Sequence, residues 1–287
     1  MSSPYYTPLR YPGGKGKLSS FVKAIVRAND LIGGEYVEPY AGGAGIAIEL
    51  VVQEYADRVH INDLDPAVWA FWHSVLNETD QLCGRIENTP VTIDSWLALR
   101  ELHANPRGAS ILDVGFSTFF LNRCNRSGIL GAGVIGGLKQ DGKWKLDARF
   151  NKGELIDRIR LIGRHREQIS LTNLDAVALL DNLAPQLPPN SFVYLDPPYY
   201  VKGGDLYEHH YTPHDHQLVS EAVRRINGCQ WMVSYDDVPQ IHALYAGFNC
   251  MQYTLSYTAQ ARCRGSEVIF FSNDLVVPDM RGSMRAA

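Results

Sequence analysis

Seven short apolar runs punctuate the chain: Glu35–Tyr40, Arg58–Asp63, Ile169–Asn173, Ser191–Leu195, Gln230–Ser234, Met251–Tyr257 and Glu267–Ser272. Their lengths and content of β-branched and aromatic residues predict strands. Helical patterns separate some of them, such as Ile46–Val52. Strands alternating with helices predict an α/β protein with a mostly parallel sheet, whose ligands bind at the carboxyl ends of the strands. From about Pro66 to Phe150 the rhythm changes. Helical patterns carry Trp69, Phe71, Trp72, Val75 and Leu76, then Trp96, Leu97, Leu99 and Leu102. The run Phe116–Leu121 leads into a stretch with glycines at 128, 131, 133, 136, 137 and 142. This region reads as an inserted helical subdomain with a flexible, basic recognition loop.

Composition changes this picture little, and charge changes it more. With 45% hydrophobic and 20% charged residues the chain is of ordinary globular type, not a disordered or fibrous one. No stretch nears the roughly 18 apolar residues of a membrane helix. The start, Met1-Ser2-Ser3-Pro4-Tyr5-Tyr6, lacks the regions of a signal peptide, so a cytoplasmic location without membrane contact is expected. The net charge of -4 argues against a surface that grips nucleic acid everywhere, yet residues 121–168 hold 11 Lys or Arg against 5 Asp or Glu. Cysteines 83, 124, 229, 250 and 263 show no C-x-x-C pair and read as separate reduced thiols. His209, His210, His214 and His216 cluster without a Cys or Glu to complete a ligand set, so no metal is expected.

Two constellations carry chemistry. After the first strand, Ala41-Gly42-Gly43-Ala44-Gly45 opens a helix, a turn in which a ligand can approach the backbone and meet free N–H groups. Asp63 follows Gly45 by 18 residues, near the spacing that sets a carboxylate on ribose hydroxyls. A dinucleotide or a nucleoside cofactor would satisfy both features. The second constellation is Asp196-Pro197-Pro198-Tyr199, directly after an apolar strand. Two prolines stiffen the turn and hold the aspartate and the tyrosine in fixed relation. An amine conjugated to an aromatic ring is a poor nucleophile because its lone pair is delocalised. A carboxylate and a backbone carbonyl accepting from its two N–H groups favour a pyramidal nitrogen and release the lone pair for attack. A tyrosine ring supplies a stacking face for a base taken out of a duplex.

With these residues the chain resembles the Dam-type, or D12 class, adenine-N6 DNA methyltransferases over nearly its whole length. Leu9-Arg10-Tyr11-Pro12-Gly13-Gly14-Lys15 looks like the family's opening cofactor motif, and Glu38-Pro39-Tyr40-Ala41-Gly42-Gly43-Ala44 resembles its glycine motif, with Ala44 where a glycine is expected. Asn62-Asp63-Leu64-Asp65 matches the acidic segment, and Asn173-Leu174-Asp175 the stretch after the third strand. The block from Thr118 to Gly128 is similar to the family's F-x-L-N-R block, and Asp147–Asn151 to the segment closing the recognition region.

The resemblance implies a Rossmann-like methyltransferase sheet, residues 1–65 and 157–287, interrupted by a target-recognition subdomain at 66–156. It implies S-adenosylmethionine held by Tyr11, Lys15, Glu38, Pro39, Tyr40, Gly42, Asp63, Asp175 and Asp196. Catalysis would fall to Asp196, Pro197, Pro198 and Tyr199, by direct transfer to N6 of a flipped adenine, without metal. Double-stranded DNA would meet Asn122, Arg123, Arg126, Lys139, Lys143 and Lys145. A restriction-modification setting, with a cognate endonuclease as functional partner, is compatible with it. Three rivals remain open at this stage. A cytosine-N4 or RNA methyltransferase would keep the chemistry; the first usually shows Ser in place of Asp196. A non-catalytic DNA-binding protein could keep the fold, though it would have no need of Asp196 and Tyr199. A Rossmann oxidoreductase would share the glycine turn but not Asp-Pro-Pro-Tyr.

Overall fold

The computed structural model describes residues 6–10, 18–201, 211–256 and 264–278, with backbone alone at 254–256 and 264–265. Each apolar run forms a strand: β1 (Gly34–Glu38), β2 (Ala56–Asn62), β3 (Ile169–Thr172), β4 (Phe192–Leu195), β5 (Gln230–Asp236), β6 (Asn249–Ser256) and β7 (Arg264–Phe271). They build one seven-stranded sheet in the order β3-β2-β1-β4-β5-β7-β6. The first five run parallel, while β7 is antiparallel to both β5 and β6. The helices are α1 (Ser19–Ala28), α2 (Gly45–Val52), α3 (Pro66–Asn77), α4 (Thr79–Asn88), α5 (Ile93–Ala104), α6 (Ile111–Cys124), α7 (Lys152–Arg164), α8 (Ala176–Leu183), α9 (Pro213–Arg225) and α10 (Pro239–Leu244).

Strand alternation sorts the core into two layers, because successive side chains leave opposite faces of the sheet. Tyr36, Phe192, Tyr194 and Met232 face α1, α2 and α3, whereas Val37, Val193, Leu195 and Val233 face α8, α9 and α10. From β1 the chain crosses to β2, and from β4 to β5 on the other side. The loops leaving the carboxyl ends of these two neighbours therefore diverge and open a crevice at the switch point.

The helices between β2 and β3 do not stand apart from the sheet. Val68, Phe71, Trp72, Val75, Phe119, Phe120 and Phe150 belong to the same apolar cluster as Tyr36, Leu50 and Ile61. Local signals start them: Asp65 caps α3 ahead of Pro66, and Ser110 with Asp113 forms a capping box on α6. Gly115 lets α6 lie against α3, since a Cβ there would fall 2.5 Å from Ser74 Oγ and 2.6 Å from the Ala70 carbonyl oxygen. Phe71 and Phe119 stack across that contact with ring centroids 5.9 Å apart.

Candidate active site

The glycine turn is braced from four directions. Gly42 and Ala44 both take left-handed backbone, at φ 46° and 44°. Alanine at 44 accepts the conformation glycine usually supplies, at a cost of about 1–2 kcal/mol. The Gly42 amide donates to Asp63 Oδ2 at 2.8 Å, and the indole N–H of Trp72 donates to the Gly42 carbonyl at 2.8 Å. Thr7 donates to the Gly43 carbonyl at 2.5 Å. Buried Asn62 ties the ends of β1 and β3 together. Its Nδ2 donates to the Pro39 and Leu174 carbonyls at 2.9 Å each, and its Oδ1 accepts from Thr172 at 2.7 Å and the Leu174 amide at 2.9 Å. Asp63 Oδ1 accepts from the Asp65 amide at 3.0 Å. The carboxylate expected to meet a cofactor thus also shapes the turn that faces it.

Glu38, the last residue of β1, is only 6% exposed. Its Oε1 accepts from the Tyr36 hydroxyl at 3.1 Å, while Oε2 is buried without a hydrogen-bond partner. Burial, with the negative charge of nearby Asp196 adding to it, pushes the Glu38 carboxyl up to about 8. Pro39 and Tyr40 follow; the Tyr40 hydroxyl accepts from that of Tyr211 at 3.1 Å. Asp175 is the N-cap of α8, its Oδ1 accepting from the Val177 amide at 2.9 Å and the Ala178 amide at 3.3 Å. Tyr11 and Lys15 lie outside the described residues.

Asp196-Pro197-Pro198-Tyr199 leaves the carboxyl end of β4 beside this turn, and strand residues tie it down. Ser234 donates to Asp196 Oδ1 at 2.6 Å and lies 3.0 Å from the Tyr194 hydroxyl. Two residues further along β5, Asp236 accepts from the backbone amides of Tyr200 and Val201 at 2.7 and 2.9 Å. Tyr199 is buried and its hydroxyl donates to Glu267 Oε1 at 2.6 Å. Tyr200 packs on His216 with ring centroids 5.0 Å apart, and His216 lies 3.2 Å from the Tyr235 hydroxyl. Burial lowers the His216 pKa, against the raising effect of Asp236 and Asp215. Of the histidine cluster, His209 and His210 lie outside the described residues. No group of three or more metal-ligating side chains occurs among the described residues.

In the basic region several polar side chains are committed to backbone groups. Asn122 is 2% exposed, and its amide is spent on backbone: Oδ1 accepts from the Arg10 amide at 2.7 Å, and Nδ2 donates to the carbonyls of Arg10 and Gly128 at 2.7 and 2.9 Å. Arg123 donates to the Arg149 carbonyl at 2.7 Å and the Pro8 carbonyl at 3.4 Å. Burial, then the charges of Arg10 and Arg158, lowers its pKa to about 10. Both residues clip segment 6–10 to the end of α6. The loop expected to be flexible is folded on itself. Asn125 donates to the carbonyls of Ile129 and Leu130 at 3.0 and 2.7 Å and accepts from Trp96 at 2.7 Å. Gln140 donates to the Ile135 and Gly137 carbonyls at 2.8 and 2.6 Å and accepts from the Leu146 amide at 2.9 Å. Gly136, at φ 83°, sits where a Cβ would meet the Trp144 carbonyl oxygen at 2.6 Å.

Arg126, Lys139, Lys143 and Lys145 are exposed on this frame, as is Trp144 at 65%. Arg126 and Arg100 border a cavity of about 340 Å³ floored by Trp96, Val134 and Leu138. The supporting roles of Trp72, Ser234, Asp236, Glu267, Asn125 and Gln140 were not assigned by the sequence reading, which placed Trp72, Ser234, Glu267 and Asn125 only within helical, strand or motif segments. Their one signal there is polarity inside an otherwise apolar run, as with Ser234 and Glu267.

No curated protein matches the chain. Among solved structures it is similar to a candidate RNA methyltransferase of Pyrococcus horikoshii, at 10% identity and TM-score 0.43, covering 95% of this chain and 87% of that one. It is also similar to the rRNA methyltransferase aviRa of Streptomyces viridochromogenes, at 12% identity and TM-score 0.35, covering 89% and 85%. The family model for D12 class N6 adenine-specific DNA methyltransferase matches residues 11–258. The chain belongs to that family and is an adenine-specific DNA methyltransferase.

Proposed function

We propose that the chain methylates N6 of an adenine flipped out of a specific double-stranded DNA sequence, using S-adenosylmethionine. The observation that carries this reading is the Asp196–Tyr199 turn, held at the carboxyl end of β4 by Ser234, Asp236 and Glu267. The residues present fit the cofactor. Glu38 offers a buried oxygen without a partner beside a left-handed turn, which suits the ammonium of an amino-acid moiety. Glu38, Pro39, Tyr40, Gly42, Asp63, Asp175 and Asp196 would hold it, together with Tyr11 and Lys15. When bound, S-adenosylmethionine supplies an electrophilic methyl group.

Asp196 and the Pro197 carbonyl accept from the two N6–H groups and draw the nitrogen towards a pyramidal geometry. The amine gives up one proton on becoming a methylamine, and the Asp196 carboxylate, which accepts from that N–H, would take it or pass it to water. Tyr199 gives the base its stacking face. The hydrogen bond from Ser234 sets the rotation of the Asp196 carboxylate, so the acceptor is oriented before the substrate arrives.

Residues 66–156 contribute recognition through the folded loop, with Arg126, Lys139, Lys143 and Lys145 as DNA contacts. Incubating the protein with unmethylated DNA and methyl-labelled S-adenosylmethionine tests the reading. Label recovered as N6-methyladenine within one sequence context is the expected result. Label on cytosine, on RNA alone, or nowhere would overturn it.

A further inference from the structure

A buried carboxylate is a costly residue to place in a strand, and Glu267 is 2% exposed in β7. Its register explains what the position does. Across the antiparallel edge of the sheet, Glu267 pairs with Asp236 of β5 on one side and Tyr253 of β6 on the other. Asp236 grips the Tyr200 and Val201 amides, Glu267 Oε1 accepts from the Tyr199 hydroxyl at 2.6 Å, and Glu267 Oε2 accepts from the Tyr253 hydroxyl. One cross-strand row therefore holds the turn by its backbone and by its ring.

We propose that Glu267 is a positioning residue for methyl transfer, fixing the Tyr199 ring against the target base, with Tyr253 bracing it from β6. The proposal rests on reading Tyr199 as the stacking face. Both phenols donate to the Glu267 carboxyl, so each ring is confined by its own hydroxyl. Glutamine would turn one of those acceptors into a donor facing a hydroxyl. Donating its hydroxyl hydrogen to Glu267 also enriches the Tyr199 ring in electron density. An adenine gaining positive charge as its amine is alkylated is held more strongly by such a ring face. The contribution is therefore larger in the transition state than in the ground state, which places it in kcat more than in binding.

A double-mutant cycle on the full chain with Glu267→Gln and Tyr199→Phe tests this. Single-turnover methylation of unmethylated DNA is read at saturating cofactor, and urea unfolding of the ligand-free proteins is read in parallel. Each single variant is expected to slow turnover about tenfold while the KM for cofactor changes less than about twofold. In the Tyr199→Phe background, Glu267→Gln should add less than about twofold, because the shared hydrogen bond is already gone. Tyr199→Phe keeps the ring and covers the case in which Glu267→Gln folds poorly. Coupling in urea unfolding with fully additive effects on turnover would overturn the proposal and leave Glu267 a structural residue. Wild-type turnover in Tyr199→Ala would instead sink the stacking role of Tyr199 itself.

Discussion

Two irregular segments carry the groups proposed for catalysis and DNA contact, and they are held in opposite ways. The turn after β4 is short, and strand side chains bind it directly: Ser234, Asp236 and Glu267. The loop from 125 to 150 is long, and amide side chains within it, Asn125 and Gln140, bind it by satisfying its own carbonyls. The first arrangement fixes the direction of a carboxylate and a ring, as a reacting nitrogen requires. The second fixes a backbone path and leaves Arg126, Lys139, Lys143 and Lys145 on the outside. Polar side chains belonging to a rigid sheet orient chemistry; those belonging to a loop shape a surface.

The sharpest break of this contrast is Asp196→Ala. Methyl transfer should fall by about a thousandfold, while DNA binding and folding persist, because the lost hydrogen bond counts mainly in the transition state. Single-turnover rates beside a gel-shift assay check it, and more than about a tenth of wild-type turnover would remove Asp196 from catalysis.

Next in size is a pH effect at Glu38. The folded protein keeps this proton to about pH 8, whereas an ordinary glutamate releases it near 4.5. Between those values the folded state binds more protons, so stability falls as pH rises through the window, by an order of 3–5 kcal/mol in all. Urea unfolding across that range should show the fall in the wild type and a flatter profile in Glu38→Gln. Identical profiles would mean that the carboxyl is not buried as described.

Asn122→Ala should cost about 2–4 kcal/mol, since it strands the amide and carbonyl of Arg10 and the carbonyl of Gly128. Because Arg10 precedes Tyr11 and Lys15, cofactor affinity should weaken too, with the preferred DNA sequence unchanged. Calorimetry and methylation of a randomised-site library separate these effects. An altered sequence preference would return Asn122 to base reading.

The smallest effects belong to the outer cations. Neutralising Lys139 or Lys143 should weaken binding to all DNA alike and reduce the salt slope by about 0.9 for each phosphate left without its cation. Arg126→Ala should instead relax discrimination at one position by about 1–3 kcal/mol. Unchanged salt slopes together with unchanged preferences would place the DNA elsewhere on the molecule.

The seven strands were legible because apolar runs of that length, interrupted by glycine and proline, have few other places to go than a buried sheet. The glycine turn and the Asp196–Tyr199 turn were legible because backbone conformation and acid-base chemistry restrict which residues can stand there. The backbone partners of Asn122 and Arg123 were not legible, because an amide or a guanidinium bonds a backbone carbonyl as readily as a base edge, and composition does not distinguish them. The internal bonding of the loop was not legible for a similar reason, since glycine serves both mobility and close approach, and Gly136 serves close approach.

By itself, then, the sequence determined the strands, the class of sheet and the two turns proposed to bear the chemistry, all properties of residues near one another in the chain. Tertiary structure decided what holds those turns. It set Trp72 on Gly42, Asn122 on Arg10, and Glu267 on Tyr199 across intervals of 30, 112 and 68 residues. A hydrogen bond depends on distances of tenths of an ångström between groups that only the folded sheet and its register bring together.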